Sequence, residues 1–154
     1  MIRLLRHEAD TAALGRRLAQ VCPVRAVIWL RGPLGAGKTT LVRGFLRGLG
    51  YQGAVKSPTY TLIEPYECGG RRVFHLDLYR IADPAELDYL GLRDLQDEDA
   101  VLLVEWPKRG AAALPPADLR LDLEYDGSMR RAIVQPLTTA GDELAKAASG
   151  FRAA

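Results

Sequence analysis

The segment Gly32-Pro33-Leu34-Gly35-Ala36-Gly37-Lys38-Thr39 constrains this chain more than any other. It fits the phosphate-binding loop G-x-x-x-x-G-K-[ST], a pattern that needs a strand before it and a helix after it. Both are legible. The apolar run Ala26-Val27-Ile28-Trp29-Leu30 precedes the loop, and Leu41, Val42, Phe45, Leu46 and Leu49 recur at helical spacing after it. Glycines let backbone N–H groups crowd around an anion, and a helix N-terminus adds partial positive charge. Lys38 is expected to reach the β- and γ-phosphates of a nucleotide, and the Thr39 hydroxyl to hold Mg²⁺.

With 154 residues the chain is expected to form one domain, residues 1–154. Its hydrophobic fraction of 48% is enough for a core without disulfide staples. A net charge of +2, with arginines interleaved among acids, makes no case for a dedicated nucleic-acid binder. Cys22 and Cys68 stand far apart without a CxxC pattern, which points away from a metal or disulfide framework and towards a reducing compartment. Charge interrupts Met1-Ile2-Arg3-Leu4-Leu5-Arg6 too early for a signal peptide. No apolar run approaches the roughly 18 residues of a membrane span. The expectation is a cytoplasmic protein with no membrane partner.

Further elements follow from pattern. Residues 8–21 read as an amphipathic helix stopped by Pro23, with His7 a surface residue or helix cap. Ser57-Pro58-Thr59 reads as a loop leading into a strand. Cys68-Gly69-Gly70 turns the chain into a second strand over 72–79, giving an antiparallel hairpin. Asp83-Pro84-Ala85-Glu86 is a helix start with a capping-box pattern. The acidic Asp97-Glu98-Asp99 precedes the buried run Ala100-Val101-Leu102-Leu103-Val104. Residues 110–117 read as a connecting loop. Alternation from Leu119 to Tyr125, a turn at Asp126-Gly127 and residues 129–135 make a second hairpin. The tail reads as a short helix and a frayed end. The fold class expected is α/β: a P-loop NTPase-like sheet with parallel central strands, antiparallel hairpins and helices on both faces.

A nucleotide site needs a carboxylate near its Mg²⁺ and a group that orients water. Glu105 ends the apolar run 101–104. Asp77 lies in His75-Leu76-Asp77-Leu78-Tyr79-Arg80, where His75, Asp77 and Tyr79 share a face by the strand period of two. Ser57-Pro58-Thr59 offers hydroxyls where phosphate-loop proteins sense a γ-phosphate. Trp29 reads as a core aromatic, and Trp106 as either packing or a stacking platform. The guanine-reading N-K-x-D, the transporter-type L-S-G-G-Q and an Arg-rich kinase lid are not found in the sequence.

Taken together, Gly32 to Thr40, Lys56-Ser57-Pro58-Thr59-Tyr60-Thr61-Leu62, His75 to Arg80 and Glu105-Trp106 resemble the TsaE family, bacterial ATPases of tRNA threonylcarbamoyladenosine biosynthesis. Asp83-Pro84-Ala85-Glu86-Leu87 and Gly91-Leu92-Arg93-Asp94 fit as well, and the likeness runs from about Glu8 to Arg130. The resemblance implies ATP and Mg²⁺ as cofactors. ATP would be held by Glu8, Leu34, Gly35, Ala36, Gly37, Lys38, Thr39, Thr40 and Arg130, with the adenine near Glu8 and Arg130. The metal would sit on Thr39 and Glu105, the catalytic group would be Asp77, Glu105, Thr59 and Lys38, and residues 57–59 would be a switch-like loop. It also implies a carbamoyltransferase and its companion subunit as partners, with tRNA contacted mainly through their complex. A small metabolite kinase on the same scaffold, or a nucleotide-gated interaction module with little turnover, would use the same loop.

Overall fold

Seven strands build one sheet: Ile2–Leu5 (β1), Ala26–Arg31 (β2), Ile63–Cys68 (β3), Arg71–Asp77 (β4), Ala100–Glu105 (β5), Leu119–Asp126 (β6) and Met129–Pro136 (β7). The computed structural model describes residues 1–96 and 98–150. The strand order is β1-β7-β6-β2-β5-β4-β3. The four central strands, β6, β2, β5 and β4, run parallel, and each flank is closed by an antiparallel hairpin, β6–β7 on one side and β3–β4 on the other. This is the α/β architecture expected. β5 is buried at every position, as a continuous apolar strand covered on both faces must be.

Helices Glu8–Val21 (α1), Lys38–Gly48 (α2) and Thr139–Ser149 (α4) pack on one face, where Leu14, Leu18, Phe45, Leu46 and Leu144 meet Ile28, Leu30, Val101 and Leu103. The other face carries Phe74, Leu76, Leu102 and Val104, covered by Leu87 from a 3-10 helix over Pro84–Leu90 and by Leu92 of the short helix Leu92–Gln96 (α3). Each fully buried leucine contributes about 1.5–3 kcal/mol relative to exposure. α1 and α2 touch backbone to backbone. A Cβ on Gly44 would stand 2.1 Å from the Ala12 carbonyl oxygen, so any side chain there would force the helices apart.

Three local details differ from sequence expectation. Residues 2–5 form a strand because β7 supplies an edge, pairing Ile2 with Ile133 and Leu5 with Arg130. The second strand of the first hairpin ends at Asp77, where the Leu78 N–H turns to the Glu105 carbonyl at 3.1 Å. Tyr79 therefore lies past the strand. The segment after Asp83 is a 3-10 helix, although the capping box is formed: the Asp83 side chain accepts from the first turn, with the Ala85 N–H donating to Oδ1 at 2.9 Å, and the Asp83 N–H donates to Glu86 Oε2 at 3.4 Å. Asp97 of the acidic stretch, and the end of the tail over 151–154, lie outside the described residues. Among the described residues no helix is long and apolar enough to cross a membrane.

At the start of α1, Asp10 Oδ2 accepts from the Arg6 and His7 N–H groups at 2.8 and 3.2 Å. That carboxylate ties the first turn of the helix to the chain entering it and fixes where Glu8 stands. Arg3 caps the far end of α4, donating to the Ala148 and Ser149 carbonyls at 2.9 Å each.

Candidate functional site

The phosphate loop leaves β2, whose neighbours in the sheet are β5 and β6, and runs into α2. Ligands of open α/β sheets bind beyond the C-terminal ends of such strands. Gly37 is the N-cap of α2 at φ +105°, a left-handed conformation that L side chains rarely adopt. The turn it makes aims the first N–H groups of α2 into the loop. Lys38 is buried. Its Nζ donates to the Gly32 carbonyl at 2.5 Å and to the Pro33 carbonyl at 3.0 Å, and it lies 4.3 Å from the centre of the Trp106 ring. Burial lowers the Lys38 pKa from its ordinary 10.5, while Glu105 and Asp77 pull it back up. Trp106 holds a left-handed backbone at φ +56° and its ring packs on Tyr79 at 5.0 Å.

Two carboxylates face this loop from the ends of adjacent strands, since Asp77 and Glu105 are register partners across β4 and β5. Glu105, 3% exposed, accepts from the Thr39 hydroxyl at 3.2 Å through Oε2. The same oxygen lies 2.5 Å from Nε2 of the fully buried His75. Asp77 accepts from the Thr59 hydroxyl at 3.3 Å and from the Tyr79 N–H at 3.0 Å. Burial raises its pKa above the ordinary 3.8; the Tyr79 N–H opposes this, and the Glu105 charge reinforces it. Ser57 Oγ lies 2.7 Å from Thr59 Oγ1. The loop ends at Leu62, in a left-handed conformation at φ +67°, whose carbonyl accepts from the Asp77 N–H at 3.0 Å. A threonine hydroxyl and a buried carboxylate are hard oxygen donors, so this pair fits Mg²⁺, which takes one or two protein ligands and fills the rest of its shell with phosphate and water.

On the α1 side of the loop opens a cleft of about 340 Å³, within the range of small-molecule sites. Glu8, Gly35, Ala36, Gly37, Thr40 and Arg130 line it. The Thr40 hydroxyl donates to Glu8 Oε1 at 3.3 Å. Leu34 differs from the other expected residues: its side chain is exposed, and it takes part through its carbonyl, which accepts from the Tyr125 hydroxyl at 2.6 Å. Arg130 stacks over the Tyr125 ring at 4.2 Å and reaches the Gly35 carbonyl at 3.5 Å. Thus the β6–β7 hairpin braces the phosphate loop.

Sequence reasoning missed several of these residues. Tyr125 carried no signal beyond strand alternation. His7 is exposed and is the N-cap of α1, as read, but its place in the lining of the cleft, with Thr11, Ser128 and Met129, gave no sequence signal. The strand period of two puts His75 on the Asp77 face, and that period is the signal in the sequence that points to its contact with Glu105.

Comparison with known proteins gives a consistent picture. The family model described as threonylcarbamoyl adenosine biosynthesis protein TsaE matches residues 5–133. A Haemophilus influenzae protein named tRNA threonylcarbamoyladenosine biosynthesis protein TsaE is 46% identical over 123 residues, covering 80% of this chain and 78% of its own. The protein of that name from Aquifex aeolicus is 36% identical over 132 residues, covering 84% and 91%. A crystal structure of YdiB from Bacillus subtilis superposes with a TM-score of 0.83 at 27% identity, covering 97% of this chain and 93% of that one.

Proposed function

The chain belongs to the TsaE family, and from that premise we propose that it is a Mg²⁺-dependent ATPase supporting the threonylcarbamoyl modification of tRNA adenosine beside the anticodon. The observation that carries this reading is the Thr39–Glu105 contact at 3.2 Å, beneath the phosphate loop and beside a cleft of nucleotide size.

In this reading the base enters the cleft between Glu8 and Arg130. Backbone N–H groups from Gly35 to Thr40 receive the phosphates at the start of α2. Lys38 leaves the Gly32 and Pro33 carbonyls for the β- and γ-phosphates, a short swing for a flexible four-carbon stem. Thr39 and Glu105 would hold Mg²⁺, which when bound would neutralise negative charge on the phosphates. Asp77 and the Thr59 hydroxyl orient the attacking water. Burial suits Asp77 to this role, because a desolvated carboxylate is a stronger proton acceptor than one in water. Loss of the γ-phosphate then releases the 57–62 loop, which carries the nucleotide state to a carbamoyltransferase and its companion subunit. The partner complex provides most of the tRNA contact. The protein acts in the cytoplasm, consistent with its two buried cysteines being free thiols.

The test is reconstitution. With the partner proteins, tRNA and ATP supplied, modified adenosine should accumulate over repeated turnovers only when this chain is present. Equal accumulation without it would set the reading aside.

A further inference from the structure

His75 has no place in the mechanism above, and its setting is costly. It is fully buried on β4. Its Nε2 lies 2.5 Å from Glu105 Oε2, and among the described residues Nδ1 has no hydrogen-bond partner. The backbone does not impose the contact, because His75 stands opposite Leu103 in the register and Glu105 stands opposite Asp77. The side chain reaches diagonally across to the neighbouring strand. A polar ring buried with one nitrogen orphaned contributes less to folding than a well-packed apolar side chain of similar volume. A proton on Nδ1 would be a buried donor without an acceptor, so the geometry assigns the ring proton to Nε2, where Glu105 accepts it.

We propose that His75 is a positioning residue for Glu105. Its Nε2–H pins one carboxylate oxygen and so aims the carboxylate at the Thr39 hydroxyl and the metal that the two would hold. The inference rests on the Mg²⁺-nucleotide reading above. The physical reason is general. A carboxylate on a two-carbon stem samples several rotamers, and a metal ligand held by a hydrogen bond from behind spends its time in the productive one. The same strand presents Asp77 two residues later, so β4 holds the metal carboxylate with one side chain and meets the Thr59 loop with another.

Three variants separate positioning from packing. His75→Gln keeps an N–H donor at about the reach of Nε2. His75→Asn keeps a polar amide but stops at the depth of Nδ1. His75→Leu fills the space with no donor. The readout is ADP affinity by calorimetry in EDTA and across a Mg²⁺ titration, with thermal melting of each full-length variant. We expect His75→Asn and His75→Leu to need roughly 10–100-fold more Mg²⁺ for half-maximal enhancement of ADP binding, with affinity in EDTA within about threefold of wild type, and His75→Gln to restore the wild-type requirement. If His75→Leu does not fold, the Gln and Asn pair decides. Equal Mg²⁺ requirements in Gln and Asn variants, or losses that appear equally in EDTA, would reduce His75 to a packing residue and overturn the proposal. Wild-type ADP binding that ignores Mg²⁺ altogether would instead remove the Thr39–Glu105 metal site, and the proposal with it.

Discussion

The Thr59 hydroxyl, on the loop between α2 and β3, donates to Asp77 Oδ2 at 3.3 Å. In the proposed mechanism this contact links the segment that senses the γ-phosphate to the buried carboxylate that orients water. Hydrogen bonds to charged groups are worth about 1.5–3 kcal/mol, or roughly 10–100-fold in a rate that depends on them. Thr59→Ala should therefore lower phosphate release from ATP by that factor while leaving ADP affinity unchanged, because the hydroxyl touches neither the loop nor the cleft. Calorimetry with ADP and an ATP analogue, beside a phosphate-release assay, checks this. Equal loss of both affinities would mark a folding defect.

Asp77 is held at a cost. Burial raises its folded-state pKa above 3.8. The folded protein therefore binds this proton more tightly than the unfolded chain does. Stability from this group is fully present below pH 3.8 and is lost as pH rises through the raised value. Asp77→Asn keeps the hydrogen-bonding shape without the charge. At pH 7 it should unfold at higher denaturant, by on the order of 1 kcal/mol, and hydrolyse ATP poorly. The stability gain should vanish by about pH 3, where Asp77 is neutral in both the folded and unfolded states. Denaturant midpoints at pH 7 and about pH 3 measure the sign directly.

Much of this site could be read from the chain, for a physical reason. A phosphate loop is a contiguous anion nest, so its residues must be adjacent in sequence. A buried carboxylate at a strand end announces itself by the apolar run before it, as Glu105 does after 101–104. What stayed hidden depends on contacts between distant residues. Tyr125 reaches the Leu34 carbonyl across 91 positions, and Arg130 reaches Gly35 across 95. Residues 2–5, with an arginine in the middle, become a strand only because β7 offers an edge. The distinction between a 3-10 and an α-helix after Asp83 was also hidden, since the capping box starts either one.

Lys38 now shares its ammonium between two loop carbonyls and the Trp106 ring. Lys38→Ala should weaken ADP and ATP-analogue binding by roughly 10–100-fold, the scale of one lost charge-assisted contact. Fluorescence titration of both nucleotides tests it. Unchanged affinity for both would mean that the phosphates do not sit in this loop.

The cleft should choose the base. Glu8 and Arg130 flank it from α1 and β7, Glu8 beside Thr40 and Arg130 beside Gly35. Glu8→Ala should reduce the preference for ATP over GTP by roughly tenfold or more, since a site built to hydrogen-bond a group discriminates through it, while inorganic pyrophosphate should compete as well as before. Competition binding with the two nucleotides and pyrophosphate gives the answer. An unaltered preference would move the base elsewhere.

This loop and its strand carboxylates are proposed to hydrolyse ATP. Glu105 is the residue to test, because it meets the Thr39 hydroxyl at 3.2 Å and is not among the residues lining the cleft. The direct measurement is phosphate release from Mg²⁺-ATP by the wild-type chain and by Glu105→Ala, alone and with the partner complex, with ADP affinity measured in EDTA on both. We expect slow release by the wild type alone, faster release with the partners, and loss of at least about 100-fold in the variant with its EDTA affinity for ADP retained. No release by the wild type under either condition, or equal turnover by Glu105→Ala, would contradict it.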